Sequence, residues 1–266
     1  MSVLGHNKGV IVDLYFLITG MGKISSENDP FLRALSESLP GKSVFFRKNE
    51  CGTLDRNYLL AKSQLLEAIR SHHSNRVVVV GHSEGGVHAM KLASEIEQVC
   101  LAVVVGTAIC TFRDAMRYHF VSETAPWMAP VKGKLSEMLN SKPFVSPSDR
   151  PRLTERKALQ QFLDIVDFHI DPQLFDCWVS YFPHDGKRLI TEANRRKLLF
   201  IFPKRDSDTP VDFSIRNIRQ FSRAIPVKKV HAFNHNFLTR KKTVSRVAVK
   251  QIAGEIRAQR AGGARG

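Results

Sequence analysis

The sequence predicts an α/β fold: a mainly parallel sheet of about six strands flanked by helices, with a block of helices inserted between two of the strands. Three observations carry this. Short apolar runs alternate with segments whose apolar residues fall at helical spacing, the pattern of a parallel sheet with helices on both faces. The run Val77-Val78-Val79-Val80 has no polar interruption, as a strand covered on both faces requires. From Thr107 to about Asp185 the strand signal disappears, and aromatic-rich helical fragments broken by Pro126, Pro130, Pro143, Pro147 and Pro151 replace it.

In chain order, Gly9 to Thr19 (GVIVDLYFLIT) reads as the first strand, closed by Gly20-Met21-Gly22. Pro30 to Leu39 is a helix: Phe31, Leu32, Leu35 and Leu39 share a face, Asp29 is placed to cap it, Pro30 suits its first position, and Pro40-Gly41 ends it. Ser43 to Arg47 is a short strand, and Arg56 to His72 a helix with Leu59, Leu60, Leu65, Leu66 and Ile69 as its apolar stripe. The Val77 strand, a helix after Ser83 and the strand Leu101 to Val105 complete the first half of the sheet. After the insertion, a charged helical piece over Leu189 to Lys197 leads into the strand Leu198 to Phe202. The helix Val211 to Phe221, the strand Val227 to Phe233 and the helix Thr243 to Arg257 follow. The domain reading is therefore a core of 1–106 and 186–258, a helical lid of 107–185, and a disordered basic tail of 259–266.

The bulk properties set the class. At 266 residues with 43% hydrophobic and 24% charged content, the chain is long enough for a sizeable core and ordinary for a globular protein. No run approaches the roughly 18 apolar residues of a membrane span. Asp13 interrupts the early apolar run Val10 to Ile18, which reads as a strand and not as a signal peptide. Cys51, Cys100, Cys110 and Cys177 are scattered without a CxxC pair, which suits reduced thiols in a cytoplasmic setting. The net charge of +15 favours an anionic membrane surface or an anionic ligand, and thickens from Arg240 to Arg265. No nucleic-acid-binding motif accompanies it. His231 and His235 lack the partnered Cys or carboxylates of a metal site, so no metal is expected.

In open parallel sheets the working residues collect at the carboxyl ends of the strands. After the Val77 strand comes Gly81-His82-Ser83-Glu84-Gly85, a Gly-x-Ser-x-Gly turn of the kind that exposes a serine between strand and helix. A serine hydroxyl needs a base in hydrogen-bond reach and an acid to orient that base. After the Leu198 strand comes Lys204-Arg205-Asp206-Ser207-Asp208-Thr209-Pro210, offering Asp206 or, as the alternative acid, Asp208. Asp212 belongs with the start of the next helix. After the Val227 strand comes His235. His82 adjoins the serine, but alternation along a strand turns it the other way, leaving it a structural part. Trp127, Met128, Phe144, Phe162, Phe168, Trp178, Tyr181 and Phe182 could wall an acyl or aryl pocket or pack the lid onto the core.

With Ser, Asp and His in this order, each past a strand, the chain resembles the α/β-hydrolases, the superfamily of serine esterases, lipases and peptidases. The GHSEGG stretch is similar to a variant in its esterase-like members. The resemblance implies Ser83 as nucleophile, His235 as general base and then acid, and Asp206 as the residue that orients the imidazole. It also implies an oxyanion hole from the backbone N–H groups of Met21 and Glu84. The chain departs from the family's pattern at Thr19, where a histidine is common, and, with its first central strand close to residue 1, the two outer antiparallel strands common in the family are expected to be missing. The implied activity is hydrolysis of a carboxylic ester or related acyl bond on a small-molecule or lipid substrate, with no cofactor. Acyl transfer through the same residues, or a non-catalytic binding protein on the same fold, are the alternatives.

Overall fold

The computed structural model describes residues 14–22, 25–48, 52–121, 126–148, 152–167, 170–206, 208–232 and 234–263. Residues 9–13 of the expected first strand, Cys51, Ser207, Phe168, Phe233 and the terminal 264–266 lie outside these ranges, as does the side chain of Trp127.

Six strands form one sheet: β1 (Leu14–Ile18), β2 (Lys42–Phe45), β3 (Val77–His82), β4 (Val99–Val105), β5 (Leu198–Pro203) and β6 (Val227–Val230). Their order is β2-β1-β3-β4-β5-β6, and every neighbouring pair is parallel. Register runs straight across the centre, Leu17 opposite Val80, Val80 opposite Val103 and Val103 opposite Leu199, so the carboxyl ends line up along one rim.

Alternation within the strands sorts the core into two layers. Phe16, Val79, Val104, Phe200 and Phe202 face one side, covered by α2 (Leu54–Ser71), α3 (Glu84–Glu95) and α9 (Val211–Phe221). Tyr15, Leu17, Val78, Val80, Val103 and Ile201 face the other, covered by α1 (Pro30–Ser38) and α10 (Arg246–Gly263). Asp29 caps α1 as expected, its Oδ1 accepting from the N–H of Phe31 at 2.9 Å and of Leu32 at 3.2 Å.

Three local expectations need correction. The buried face of α2 is Tyr58, Ala61, Leu65 and Ala68, whereas Leu59 is 63% exposed and Leu60 and Leu66 are also on the outside. Small alanines on the inner face let the helix lie close to the sheet. The stretch 189–197 holds short 3-10 turns at Gly186–Leu189 and Arg195–Lys197 in place of a helical piece. Buried Asn194 organises it, donating to the carbonyls of Met90 (3.0 Å) and Leu189 (2.7 Å) and accepting from the N–H of Thr191 (2.9 Å). The last helix runs through Gly263, so residues 259–263 are helical and not part of a disordered tail.

Between β4 and β5 the chain builds α4 (Phe112–Val121), α5 (Lys132–Leu139), α6 (Lys142–Val145), α7 (Leu153–Ile165) and α8 (Pro172–Ser180). These helices share a cluster around Phe120, Leu135, Phe144, Phe162 and Phe182, which takes in Leu54 of α2 and Val87 of α3 from below. Where the segment leaves and re-enters the sheet region, Thr111 and Asp185 form an antiparallel bridge, reinforced by the Gly186 N–H on the Cys110 carbonyl at 2.9 Å.

Candidate active site

Ser83 occupies the turn between β3 and α3 with φ 56° and ψ −120°, a left-handed conformation that costs a non-glycine residue about 1–3 kcal/mol. The neighbouring structure holds it there. Its N–H donates to the Val105 carbonyl at 2.8 Å, and its carbonyl accepts from Thr107 Oγ1 at 2.8 Å and from the Gly86 N–H at 3.0 Å. A Cβ at Gly81 would collide with the Gly85 carbonyl, so only glycine lets α3 turn back this closely over β3.

His235 stands on the loop between β6 and α10. That loop is pinned by Phe237, fully buried and stacked on Phe31 of α1 with ring centroids 4.5 Å apart. The two oxygens of Asp206, on the loop after β5, lie 3.1 and 3.2 Å from His235 Nδ1. The Asp206 side chain is fully buried, and its Oδ1 also accepts from the N–H groups of Asp208 and Thr209, each at 2.9 Å. A carboxylate only accepts, so Nδ1 carries the proton and Nε2 presents its lone pair. Burial pulls the His235 pKa down, but the hydrogen bond and charge of Asp206 outweigh it, and the net shift is upward from 6.5.

Of the two carboxylates offered by this loop, the one on His235 is Asp206. Asp208 contributes its backbone N–H to Asp206, and its side chain lies 3.9 Å from His119 Nδ1 on α4. Asp212 sits in the first turn of α9 and pairs with Lys229 at 2.7 Å.

Ser83 and His235 open onto one cavity of about 790 Å3, whose floor includes Gly20, Met21 and Glu84 and whose roof comes from α4 and α8. From the roof come Phe112, Met116, Phe120 and Trp178, with Tyr181 just past the end of α8. Of the aromatics singled out in the sequence, Trp178 and Tyr181 reach this wall, while Phe144, Phe162 and Phe182 pack the interior of the inserted segment. No lysine or arginine lines the cavity among the described residues. Burial pushes the His184 imidazole down to about 4, so this wall residue is neutral near pH 7. Among the described residues no group of three or more His, Cys, Asp or Glu is placed to hold a metal ion.

Sequence reasoning missed Thr209 and the partners of His82. Thr209 Oγ1 lies 3.3 Å from His235 Nδ1 and donates to the Gly106 carbonyl at 3.0 Å, tying the Asp206 loop to the end of β4. Its three-residue spacing from Asp206 was the available signal. His82 has the structural role expected of it, but its partners belong to the site. Its Nε2 donates to the His235 carbonyl at 3.0 Å, and its Nδ1 lies 3.4 Å from Asp29 Oδ2. Strand alternation holds: His82 follows Val78 and Val80 onto the face of α1, against Phe31 and Phe237, with ring centroids 5.3 and 5.8 Å away.

No protein-family model matches the sequence, and no curated protein matches it. Solved structures do match. Est1E from Butyrivibrio proteoclasticus is 15% identical with a TM-score of 0.61, over 96% of this chain and 91% of that one. A lipase-esterase related protein from Clostridium acetobutylicum is 15% identical with a TM-score of 0.52, over 92% and 93%. An alpha/beta fold family hydrolase from Bacillus anthracis is 15% identical with a TM-score of 0.52, over 91% of each chain. The six-stranded parallel sheet with helices on both faces and these neighbours together give the chain the α/β-hydrolase fold.

Proposed function

We propose that the protein is a serine hydrolase that cleaves a carboxylic ester, or a related acyl bond, carrying an apolar and uncharged acyl group. The observation that carries this reading is the convergence of a strained Ser83 turn and the Asp206–His235 pair on one apolar cavity. Ser83 attacks the carbonyl while His235 Nε2 removes its proton. Asp206 holds the opposite N–H and stabilises the imidazolium that forms. The N–H groups of Met21 and Glu84 receive the developing oxyanion, and donors of this kind are each worth about 3–4 kcal/mol. His235 then protonates the departing alcohol, a water enters, and the same residues release the acid. The absence of lysine and arginine from the described wall favours a neutral acyl group over the anionic ligand that bulk charge suggests.

A fluorophosphonate probe tests the reading. The expected result is stoichiometric labelling at Ser83, abolished in Ser83→Ala; folded protein that takes up no label at Ser83 overturns it.

A further inference from the structure

Two buried charges lie directly behind the cavity floor, and the mechanism above uses neither side chain. Lys48, in the loop after β2, is 4% exposed, and Glu84, the residue after Ser83, is 5% exposed. Buried ions are costly unless paired and hydrogen-bonded, so their partners indicate what they hold in place.

Lys48 Nζ donates to the Gly20 carbonyl at 2.9 Å, in a buried contact that joins segments 28 residues apart. Gly20 passes so close to the nucleophile that a Cβ built on it would stand 2.8 Å from Ser83 Cβ. The carbonyl of Gly20 and the N–H of Met21 belong to one peptide group. In a planar trans peptide these two point in opposite directions. Drawing the carbonyl back toward Lys48 therefore turns the Met21 N–H away from Lys48, and both residues of that peptide border the cavity. An ammonium donating to the carbonyl oxygen also polarises the peptide and strengthens its N–H as a donor.

Glu84 supplies the matching negative charge. Its Oε1 accepts from Asn57 Nδ2 at 2.9 Å and from His88 Nε2 at 3.1 Å. Burial alone raises its pKa, but the His88 hydrogen bond, the charges of Lys48 and His88, and the Asn57 hydrogen bond bring it down to about 2. It is therefore ionised at neutral pH. Asn57 also donates to the Gly52 carbonyl at 3.2 Å, tying Gly52, just ahead of α2, to the same amide that holds the carboxylate.

We infer that Lys48 is a positioning residue for the oxyanion hole, orienting and polarising the Gly20–Met21 peptide, with the buried carboxylate of Glu84 as its counter-charge beneath the second donor. This rests on the assignment of Ser83, Met21 and Glu84 made above.

The test uses Lys48→Met, which keeps the aliphatic stem, and the double variant Lys48→Met/Glu84→Gln, which leaves no unpaired charge if the single variant unfolds. Removing an oxyanion donor outright costs about 10²–10³ in kcat, so misdirecting one is expected to lower kcat on a neutral p-nitrophenyl ester at least about tenfold. KM should change little. Affinity for an alkylboronic acid, whose tetrahedral serine adduct places an oxygen in the hole, should weaken by a factor similar to the loss in kcat. A folded double variant with unchanged kcat and boronate affinity overturns the inference. So does a loss carried by KM with boronate affinity intact, since that is general loosening. If wild-type Ser83 takes no fluorophosphonate label, the functional reading fails instead; labelling with an unaffected variant removes this inference alone.

Discussion

The Asp206–His235 contact fixes both the tautomer and the charge balance of the imidazole. A base must be neutral to accept a proton, so kcat/KM should rise with pH through an apparent pKa above the ordinary 6.5 of histidine. Asp206→Asn should move that limb to lower pH and cut kcat on the order of 10⁴-fold, because an amide can favour the wrong tautomer. pH–rate profiles of the two proteins check this. The same raised pKa makes a stability contribution that is complete below pH 6.5 and lost as pH climbs through the folded value. Ser83 and the Asp206/Asp208 pair could be picked out as candidates because each follows an apolar strand run, and His235 because it follows the last strand, where Lys228 and Lys229 interrupt the apolar pattern. The partner of His82 was not legible, since the His235 carbonyl it holds lies 153 residues away.

At the scale of elements, α2 separates what periodicity reveals from what packing decides. The expected stripe was Leu59, Leu60, Leu65, Leu66 and Ile69; Leu65 and the partly buried Ile69 do pack against the core, but Leu59, Leu60 and Leu66 are exposed and Tyr58, Ala61 and Ala68 take their place. Alanine is a weak hydrophobic signal but a strong packing choice, since it allows helix and sheet to approach. Leu65→Ala should therefore cost about 2–5 kcal/mol, as a deletion in a filled core does. Leu59→Ala should stay within about 0.5 kcal/mol of wild type. Urea titrations of the two variants measure the difference. Helix α1 was readable to its first residue because Asp29 and Pro30 carry local instructions. The stretch held by Asn194 was not, because that amide also binds the Met90 carbonyl on α3, 104 residues away in sequence.

At the scale of the whole molecule, the chain carries a charge of +15, while the described residues of the cavity wall include no lysine or arginine. A neutral ester gains nothing from long-range steering, so its kcat/KM should change less than about twofold as salt shortens the Debye length from roughly 10 Å to 3 Å. A steep fall with salt, measured by steady-state kinetics, would place a cation in the substrate's path. The antiparallel bridge between Thr111 and Asp185 bears on how such a molecule changes over generations. Because the roof-forming segment departs from and returns to one spot, a replacement of different length need only span that narrow doorway. Closing a longer excursion costs entropy that grows with the logarithm of its length, about 0.6 kcal/mol per doubling. The sheet and the residues on its rim can thus stay fixed while the roof is exchanged, which makes substrate preference an interchangeable part of this architecture.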